Sequence, residues 1–421
     1  MGENFYQDQY LKRSCVICNS ANRRMNSPIC DCFEGELLYV QKFIKERIAS
    51  FLEGYNVMAC STCGFVFADG IPDQQWFDDY YGAMSKYEDS AHGGIESAWE
   101  SEKMQSIAQA LIPYVPKRSS QIVDIGCSTG HLLSYFHEAG FQCVLGIDPS
   151  PICAQIALKR FGIQVKIGTF SKLDLPEGFA DVMILAGVLE HVRDLAQALD
   201  KIAFHTKKGG RVFISVPNAS RYADGEDAPF QEFSIEHINF FGPISLSNLM
   251  ATRGFEPIAM IEEILPVNLW TKTPVLHGIY CKVDDKYSLS LRVTKDTTTM
   301  VGLRNYIVQC RSEDKRIGRI IDKLVQEKKP LLVWGIGTHT LRLLSESTLG
   351  QANIVAFVDG NPRYHGCEVL NRPVLAPKAL IDYPDVAVLI SSRAYQEEIA
   401  TEIQETFKCT NQIIRLYSLA I

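Results

Sequence analysis

The chain has 421 residues, 46% hydrophobic and 22% charged, which is long and apolar enough for two or three folded domains. Its net charge of −7 disfavours nucleic acid, and the polar segment 1–14 lacks the apolar core of a signal peptide. No apolar run is long enough to cross a bilayer. The thirteen scattered cysteines fit a reducing compartment. We therefore expect a cytoplasmic, multidomain protein with no nucleic-acid or membrane partner.

Two Cys-x-x-Cys pairs lie near the amino terminus, formed by Cys15, Cys18, Cys60 and Cys63. Each pair places two thiolates close together, and two pairs complete a tetrahedral zinc site that is structural because no coordination position stays open. Cys30 and Cys32 are rival ligands, although the Cys-x-Cys spacing suits the geometry less well. Free structural thiols or a redox pair would also account for the cysteines without a metal. Residues 1–75 carry seven basic and nine acidic side chains, which disfavours a phosphate-binding role for this module.

From residue 107 onward, short aliphatic runs alternate with amphipathic stretches, which indicates βαβ units. The predicted elements are, in chain order, a strand over 121–125, a helix over 130–138, a strand over 143–148, a helix over 151–161, strands over 165–167 and 181–186, a helix over 194–205, a turn over 207–210, a strand over 211–216, a helix over 246–254 and a strand over 258–264. The segment 271–298 has weak periodicity, and we interpret it as a connection.

A second α/β series follows this connection. It comprises a helix over 312–328, a strand over 331–335, a helix over 341–345, a strand over 353–359, a helix over 377–381, a strand over 386–391, a helix over 394–407 and a strand over 412–417. The pattern predicts three domains, over 1–75, 76–280 and 281–421.

A glycine-rich turn follows the first strand of the central series. Gly126 and Gly130 allow a ligand to approach the backbone closely, and the helix that begins there offers unpaired amides. The next strand ends at Asp148, where a carboxylate can bind both hydroxyls of a ribose. Residues 123–130 (VDIGCSTG) closely resemble motif I of class I S-adenosylmethionine-dependent methyltransferases.

Residues 168–176, 181–192 and 208–218 are similar to the later motifs of the same class. The resemblance implies a Rossmann-like α/β sheet and S-adenosylmethionine as cofactor. The cofactor-binding residues that it implies are Asp124, Gly126, Gly130, Asp148, Thr169, Phe170 and Ala186.

The order of zinc module, methyltransferase and C-terminal α/β domain resembles the bacterial sugar C-methyltransferases, which act on nucleotide-linked 4-keto sugars. The matching site element is 236–241 (EHINFF). The resemblance implies a nucleotide sugar as the small-molecule substrate and a tyrosine that enters the site from the amino-terminal side. The catalytic residues that we expect are His237, Glu236, His191 and Tyr81, with Tyr80 and Tyr87 as rivals of Tyr81.

The chemistry explains this choice of side chains. A ketone acidifies the hydrogen on the neighbouring carbon, so a base can remove it and leave an enolate. His237 has a pKa suited to that role, and Glu236 could orient it or act itself. We expect Asn239, Phe240 and Phe241 to serve in packing.

One departure from the family keeps a second function open. The family has a tyrosine two residues before the glutamate, where this chain has Ser234. O-methylation of a sugar or of another small metabolite is therefore the alternative to C-methylation. A binding protein that kept the fold without activity is a third hypothesis.

Residues 334–338 (WGIGT), followed by Asp359, imitate a dinucleotide-binding fingerprint in the C-terminal series. Thr340 stands where the third small residue of that motif belongs, which makes the signal weak. We predict a degenerate Rossmann-like unit that packs on the catalytic domain and helps to cover its cleft.

Overall fold

A computed structural model of the chain describes residues 13–18, 35–44, 54–83, 98–170, 173–283 and 293–418. Its strands are β1 Gly35–Lys42, β2 Gly54–Cys60, β3 Val66–Asp69, β4 Ile122–Ile125, β5 Val144–Asp148, β6 Val165–Ile167, β7 Ala180–Ala186, β8 Thr206–Pro217, β9 Asn239–Phe240, β10 Phe255–Pro266, β11 Lys272–Lys282, β12 Leu331–Trp334, β13 Ile354–Val358, β14 Glu368–Val369, β15 Arg372–Leu375, β16 Ala387–Ile390 and β17 Ile413–Arg415. Its α-helices are α1 Gln74–Ala83, α2 Ala98–Leu111, α3 His131–Glu138, α4 Pro151–Phe161, α5 Leu195–His205, α6 Pro243–Ala251, α7 Thr297–Glu327, α8 Thr338–Glu346 and α9 Gln396–Thr401. No helix in these ranges combines the length and the apolar character that crossing a membrane requires.

The central sheet has seven strands in the order β6-β5-β4-β7-β8-β11-β10. The five strands from β6 to β8 are parallel, whereas β11 is antiparallel to both of its neighbours. Helices cover both faces of a sheet of this kind, so its inner strands are buried on both sides, as β4 is along its whole length. The strand order reverses between β4 and β7, and ligands bind at such a switch point, beyond the carboxyl ends of the strands.

The predicted connection over 271–298 is wrong for its first part. Residues 272–282 form β11, which lies between β8 and β10 in the sheet. Residues 274–280 are all buried, because the strand is covered on both faces. Its sequence therefore lacks the alternation that identifies a half-exposed strand, and Pro274 and Gly278 interrupt it further.

Two more predicted elements differ in extent. The turn predicted over 207–210 is a bulge inside β8, where Gly209 has a φ of +74°. Ala180 of β7 pairs with Thr206, and Val182 already pairs with Arg211. The helix predicted over 312–328 begins fifteen residues earlier, at Thr297, after Asp296 has capped it. The remaining central elements agree with the prediction to within about three residues.

The first sheet joins distant parts of the chain in the order β1-β2-β3-β9. Strand β3 follows the second cysteine pair, and it pairs antiparallel with β9, which belongs to the central part of the sequence. The long helix α7 buries Leu303 and Tyr306 against this sheet and Ile317 and Ile321 against the third sheet. The domain boundaries stay a prediction, and β9 and α7 connect the predicted domains across them.

The third sheet has the order β14-β15-β13-β12-β16-β17, with all pairs parallel except β14–β15. The hairpin β14–β15 was not predicted, the helix predicted over 377–381 is a 3-10 helix over Pro377–Asp382, and the last predicted helix divides into α9 and a π-helical segment over Glu402–Thr406. Buried Thr340 takes the place of the missing small residue, and its hydroxyl is hydrogen-bonded to that of Ser391.

Candidate active site

A cleft of about 760 Å³ lies beyond the carboxyl ends of β4, β5 and β7. The glycine-rich turn after β4 forms one end of it. Residues 231–237, from the loop that precedes β9, and tyrosines of α1 form the other end. Thr338, at the start of α8, also lines the cleft, so the C-terminal series contributes to its wall.

The glycine-rich turn places the backbone at the floor of the cleft. Gly126 has a φ of +73°, and a Cβ there would lie 2.8 Å from Cγ2 of Val188, so only glycine fits. Gly130 has a φ of +76° and directly precedes α3. A Cβ atom on Gly130 would lie 3.0 Å from the Cβ atom of Ala157. Gly126 lines the cleft, whereas Gly130 acts behind it by letting α3 and α4 pack closely.

Two buried carboxylates face the same end of the cleft. Asp148 accepts hydrogen bonds from the amides of Ser128 and Ser150, at 2.8 and 2.9 Å, one on each oxygen. Each oxygen keeps a second lone pair for a ligand hydroxyl. Asp124 has a buried Oδ1 with no hydrogen-bond partner among the described residues. Burial and the nearby Asp148 raise the pKa of Asp124 well above its usual range, so a positively charged ligand group would stabilise this end of the cleft.

Six of the seven predicted cofactor residues line the cleft: Asp124, Gly126, Asp148, Thr169, Phe170 and Ala186. Sequence reasoning missed Ser128, Ser150, Glu190 and Glu232, which line it as well. Their contacts depend on the folded loops, although the position of Ser128 inside motif I was a usable signal.

Aromatic and acid–base side chains meet at the other end of the cleft. The hydroxyl of Tyr80 donates to Oε1 of Glu236 at 2.9 Å. The ring of Tyr81 stands edge-on to that of His191, with centroids 5.6 Å apart, and the rings of His191 and His237 are 5.2 Å apart. The structure thus brings together the four predicted catalytic residues and adds Tyr80; Tyr87 lies outside the described residues.

His191 has a defined orientation. Its Nδ1–H donates to the carbonyl oxygen of Glu236 at 2.9 Å, so in the neutral ring the lone pair lies on Nε2. Nε2 is 3.9 Å from Oε1 of Glu190, a buried carboxylate whose Oε2 has no hydrogen-bond partner within the described residues. Ligand atoms of Glu190, His191 and His237 lie within 4.8 Å of one another, a spacing at which they could hold a cation.

His237 faces a different carboxylate from the one that the dipeptide suggests. Its Nδ1 is 3.5 Å from Oε2 of Glu232, whereas Glu236 pairs with Tyr80. Its amide donates to the hydroxyl of Ser234 at 3.2 Å. Phe240 and Phe241 are fully buried, as the packing interpretation predicts, and buried Asn239 donates to the carbonyls that flank the 3-10 turn after β7.

The four cysteines of the two pairs converge on one point. The Sγ atoms of Cys15 and Cys63 are 3.4 Å apart, and those of Cys18 and Cys60 are 3.6 Å apart, too far for disulfide bonds. All four Sγ atoms lie within 4.8 Å of one another. Cys30 and Cys32 lie outside the described residues.

Arg13, two residues before the first cysteine, connects this cluster with the end of the cleft where the two histidines lie. Its buried guanidinium donates to the carbonyls of Ala68 on β3, Ile238 and Arg193, and to Oδ1 of Asn239. Ile238 follows His237 directly. One side chain therefore connects the cysteine cluster with the segment that carries His237.

Two family models match parts of this chain. The family model described as a methyltransferase domain matches residues 98–260, and one described as C2185-like, N-terminal, matches residues 327–414. A probable S-adenosylmethionine-dependent methyltransferase of Mycolicibacterium smegmatis is 26% identical over 136 residues, which is 32% of this chain and 51% of that protein. A tRNA U34 carboxymethyltransferase of Syntrophotalea carbinolica is 28% identical over 177 residues, which is 40% of this chain and 54% of that protein.

A solved methyltransferase is similar in structure. It is the 1,6-didemethyltoxoflavin-N1-methyltransferase of Burkholderia thailandensis, 19% identical, with a TM-score of 0.40 over 53% of this chain and 97% of that one. The chain spans about half the length of the two curated relatives. The family match covers the five parallel strands, in the order β6-β5-β4-β7-β8, and the cleft at the switch point between β4 and β7. Residues 98–260 are therefore a class I, S-adenosylmethionine-dependent methyltransferase domain.

Proposed function

We propose that the protein is an S-adenosylmethionine-dependent C-methyltransferase whose acceptor is a nucleotide-linked keto sugar. The observation that supports this best is the grouping of two tyrosines, two histidines and a glutamate at one end of a cleft whose other end the cofactor motif lines. Carbon methylation needs a base and oxyanion donors beside the acceptor, and this grouping offers both. The resemblance in domain order and in the Glu236–His237 element adds to the support.

The chain's own residues then have three tasks. His237 accepts the proton from the carbon next to the ketone, and the electron pair of that C–H bond moves toward the ketone oxygen. Tyr81 donates to the charge that forms on this oxygen, since its buried hydroxyl has no hydrogen-bond partner among the described residues. The walls of the cleft hold the acceptor carbon in line for attack. When bound, S-adenosylmethionine would supply an electrophilic methyl group to the enolate carbon, and S-adenosylhomocysteine would leave as the sulfonium–methyl bond breaks.

For the cofactor we propose contacts with Asp124, Gly126 and Asp148, and with Thr169, Phe170 and Ala186 along the wall. The orphaned Oδ1 of Asp124 suits the ammonium group of the cofactor, and Asp148 suits its ribose hydroxyls. Gly130 contributes through the packing of α3. These residues fit a cofactor that combines a positive charge with a nucleoside.

We also propose one structural zinc ion on Cys15, Cys18, Cys60 and Cys63. Ligands at 2.3 Å around a tetrahedral zinc are about 3.8 Å apart, close to the observed 3.4 and 3.6 Å. Three of the four cysteines are buried, and four thiolates would leave no coordination position open to a substrate.

O-methylation of a small acceptor is the second candidate, because Ser234 stands where the similar C-methyltransferases have a tyrosine. A tRNA acceptor, which the name of one relative suggests, is disfavoured by the net charge of −7 and by the three carboxylates Glu190, Glu232 and Glu236 in the cleft.

Deuterium exchange in heavy water distinguishes C-methylation from O-methylation. The enzyme, incubated with a nucleotide-linked 4-keto sugar, should exchange the hydrogen on the neighbouring carbon for deuterium and yield a product with a new C–CH₃ signal. His237→Ala should abolish the exchange, whereas His137→Ala, at an exposed histidine outside the cleft, should preserve it. A methoxy product without carbon-bound deuterium would establish O-methylation instead.

A further inference from the structure

Glu232 occupies a fixed position in the loop before β9. Its backbone amide donates to the hydroxyl of Tyr306 at 3.1 Å, and its Oε1 accepts from the hydroxyl of Thr273 at 3.2 Å. The backbone of Glu232 is thus held from α7 and its carboxylate from β11, and its side chain is only 12% exposed. Its second oxygen, Oε2, points to Nδ1 of His237 at 3.5 Å.

This contact is the one that orients the imidazole. Nδ1 of His237 is buried and has no hydrogen-bond partner among the described residues, and 3.5 Å is close for an ion pair but long for a hydrogen bond. Catalytic hydrogen bonds are often long before the substrate binds and shorten in the complex. A carboxylate at Nδ1 favours the ring form with a proton on that nitrogen, which leaves Nε2 to accept a proton.

Glu236, the residue next to His237, has other hydrogen-bond partners. Glu236 uses its Oε1 to accept from Tyr80 and its carbonyl oxygen to accept from His191. The charges around His237 are the carboxylates of Glu190 from the turn after β7 and of Glu232 and Glu236 from its own loop, with the ring of His191 at 5.2 Å. Burial lowers the pKa of His237, but these carboxylates, Glu232 first, outweigh that effect and raise it above its ordinary value.

We propose that Glu232 is a positioning residue that holds His237 in the orientation and tautomer of a general base. The base role rests on the proposed function, whereas the contact between the two side chains can be tested without a substrate. The carboxylate also stabilises the imidazolium that forms when His237 takes the proton, so a neutral side chain there weakens the base.

The first measurement is an NMR titration of the His237 ring in protein labelled with ¹⁵N-histidine. Glu232→Gln should lower the pKa of His237, because the variant keeps a hydrogen-bonding oxygen and loses the charge. Glu226→Gln is the matched control, since this exposed glutamate of the same loop pairs with Lys272 outside the cleft. An unchanged titration in a folded Glu232→Gln protein overturns the proposal.

The second measurement is the rate of deuterium exchange into the keto sugar. Glu232→Gln should lower it about 10- to 100-fold with little change in KM, and should shift the acid limb of the pH profile to lower pH. Thr273→Val, which removes one anchor of the carboxylate, should give a smaller loss in the same direction and replaces Glu232→Gln if that variant does not fold. The two measurements can also disagree. If Glu232→Gln lowers the pKa of His237 but the wild-type enzyme exchanges no deuterium into the keto sugar, the contact between Glu232 and His237 is supported and the keto-sugar acceptor is refuted.

Discussion

The hydroxyl of Tyr80 donates to the carboxylate of Glu236 across 2.9 Å, although 155 residues separate the two in the chain. The adjacent Tyr81 has a buried hydroxyl with no hydrogen-bond partner within the described residues. Two neighbouring tyrosines on α1 are therefore in opposite situations: one hydroxyl is already used in the protein, and the other is available to a ligand.

This difference predicts opposite responses to phenylalanine. Tyr81→Phe should lower the rate of methyl transfer about 100-fold, the effect of losing one oxyanion donor, and should leave stability equal or higher because an orphaned buried hydroxyl is removed. Tyr80→Phe should cost about 1–3 kcal/mol of unfolding free energy, because it leaves a carboxylate without its donor. Activity assays and denaturant titrations of both variants check this. Equal activities would show that Tyr81 is not the donor.

Asp148 should determine cofactor affinity. Asp148→Ala should weaken binding of S-adenosylhomocysteine by about 1–3 kcal/mol, the scale of lost hydrogen bonds to a charged group. Calorimetry measures this, with Asp382→Asn, at an exposed aspartate far along the chain, as the control. Because Asp148 also accepts from two amides, circular dichroism must show that the variant is folded. Wild-type affinity in a folded variant would remove Asp148 from the cofactor site.

Alanine substitutions at two glycines with similar φ angles distinguish the cost of backbone strain from the effect of a blocked cleft. Gly162 has a φ of +67° and open space where a Cβ would stand, so Gly162→Ala should cost about 1 kcal/mol of stability and leave cofactor affinity unchanged. Gly126→Ala adds a clash with Val188 at 2.8 Å and narrows the cleft, so it should cost more and weaken cofactor binding at least tenfold. Matching losses of affinity in both variants would contradict the role of Gly126.

The cysteine cluster should hold about one zinc per chain. Cys18→Ser should reduce the zinc content of protein purified without chelators to less than about half an equivalent, and it should lower the melting temperature. Cys143→Ser, at an exposed cysteine outside the cluster, should change neither quantity. Elemental analysis that finds no zinc in the wild-type protein would refute the site.

Asp227 should make stability depend on pH. Burial, and to a smaller degree the charge of Glu232, raise the pKa of Asp227 to about 7. The folded protein therefore keeps this proton up to near neutrality, whereas the unfolded chain releases it near pH 4. The folded state binds more protons in that interval, so the free energy of unfolding falls as the pH rises from about 4 to about 7.

Asp227→Asn removes this dependence. The variant should be about 1–2 kcal/mol more stable than the wild type at pH 8, after allowance for the partial exposure of the group, and the two proteins should converge near pH 4. Denaturant titrations across this range measure the difference. A constant difference at all pH values would mean that Asp227 has an ordinary pKa.

The parts of the fold that follow from local patterns were predictable. Motif I combines a buried strand with glycines that the turn requires, and the helix over 151–161 agrees with the prediction to the residue, since Ser150 caps it and Gly162 ends it. Strand β11 was not predictable, because its partner β8 lies more than 50 residues earlier and its burial depends on helices such as α2 that are distant in sequence.

The same limit applies to the site. His237, Glu236 and His191 carry a recognisable pattern in sequence, whereas the position of Glu232 depends on contacts with Thr273 and Tyr306, which come from different elements. Sequence proximity suggested Glu236 as the partner of His237, and the fold instead directs Glu236 to Tyr80. Side-chain direction within a loop depends on tertiary packing, which dipeptide spacing does not encode.

The hydrogen bonds of Arg13 have a consequence for modularity. A fragment limited to residues 98–260 would contain the whole family match but would lack Arg13, β3 and both tyrosines of α1. The carbonyls of Ile238 and Arg193 would lose their donor, and β9 would lose its strand partner β3. Such a fragment should therefore fold with its acid–base loop in disorder. We therefore expect that the amino-terminal module cannot be exchanged as an independent unit, because Arg13 and β3 hold the segment that follows His237.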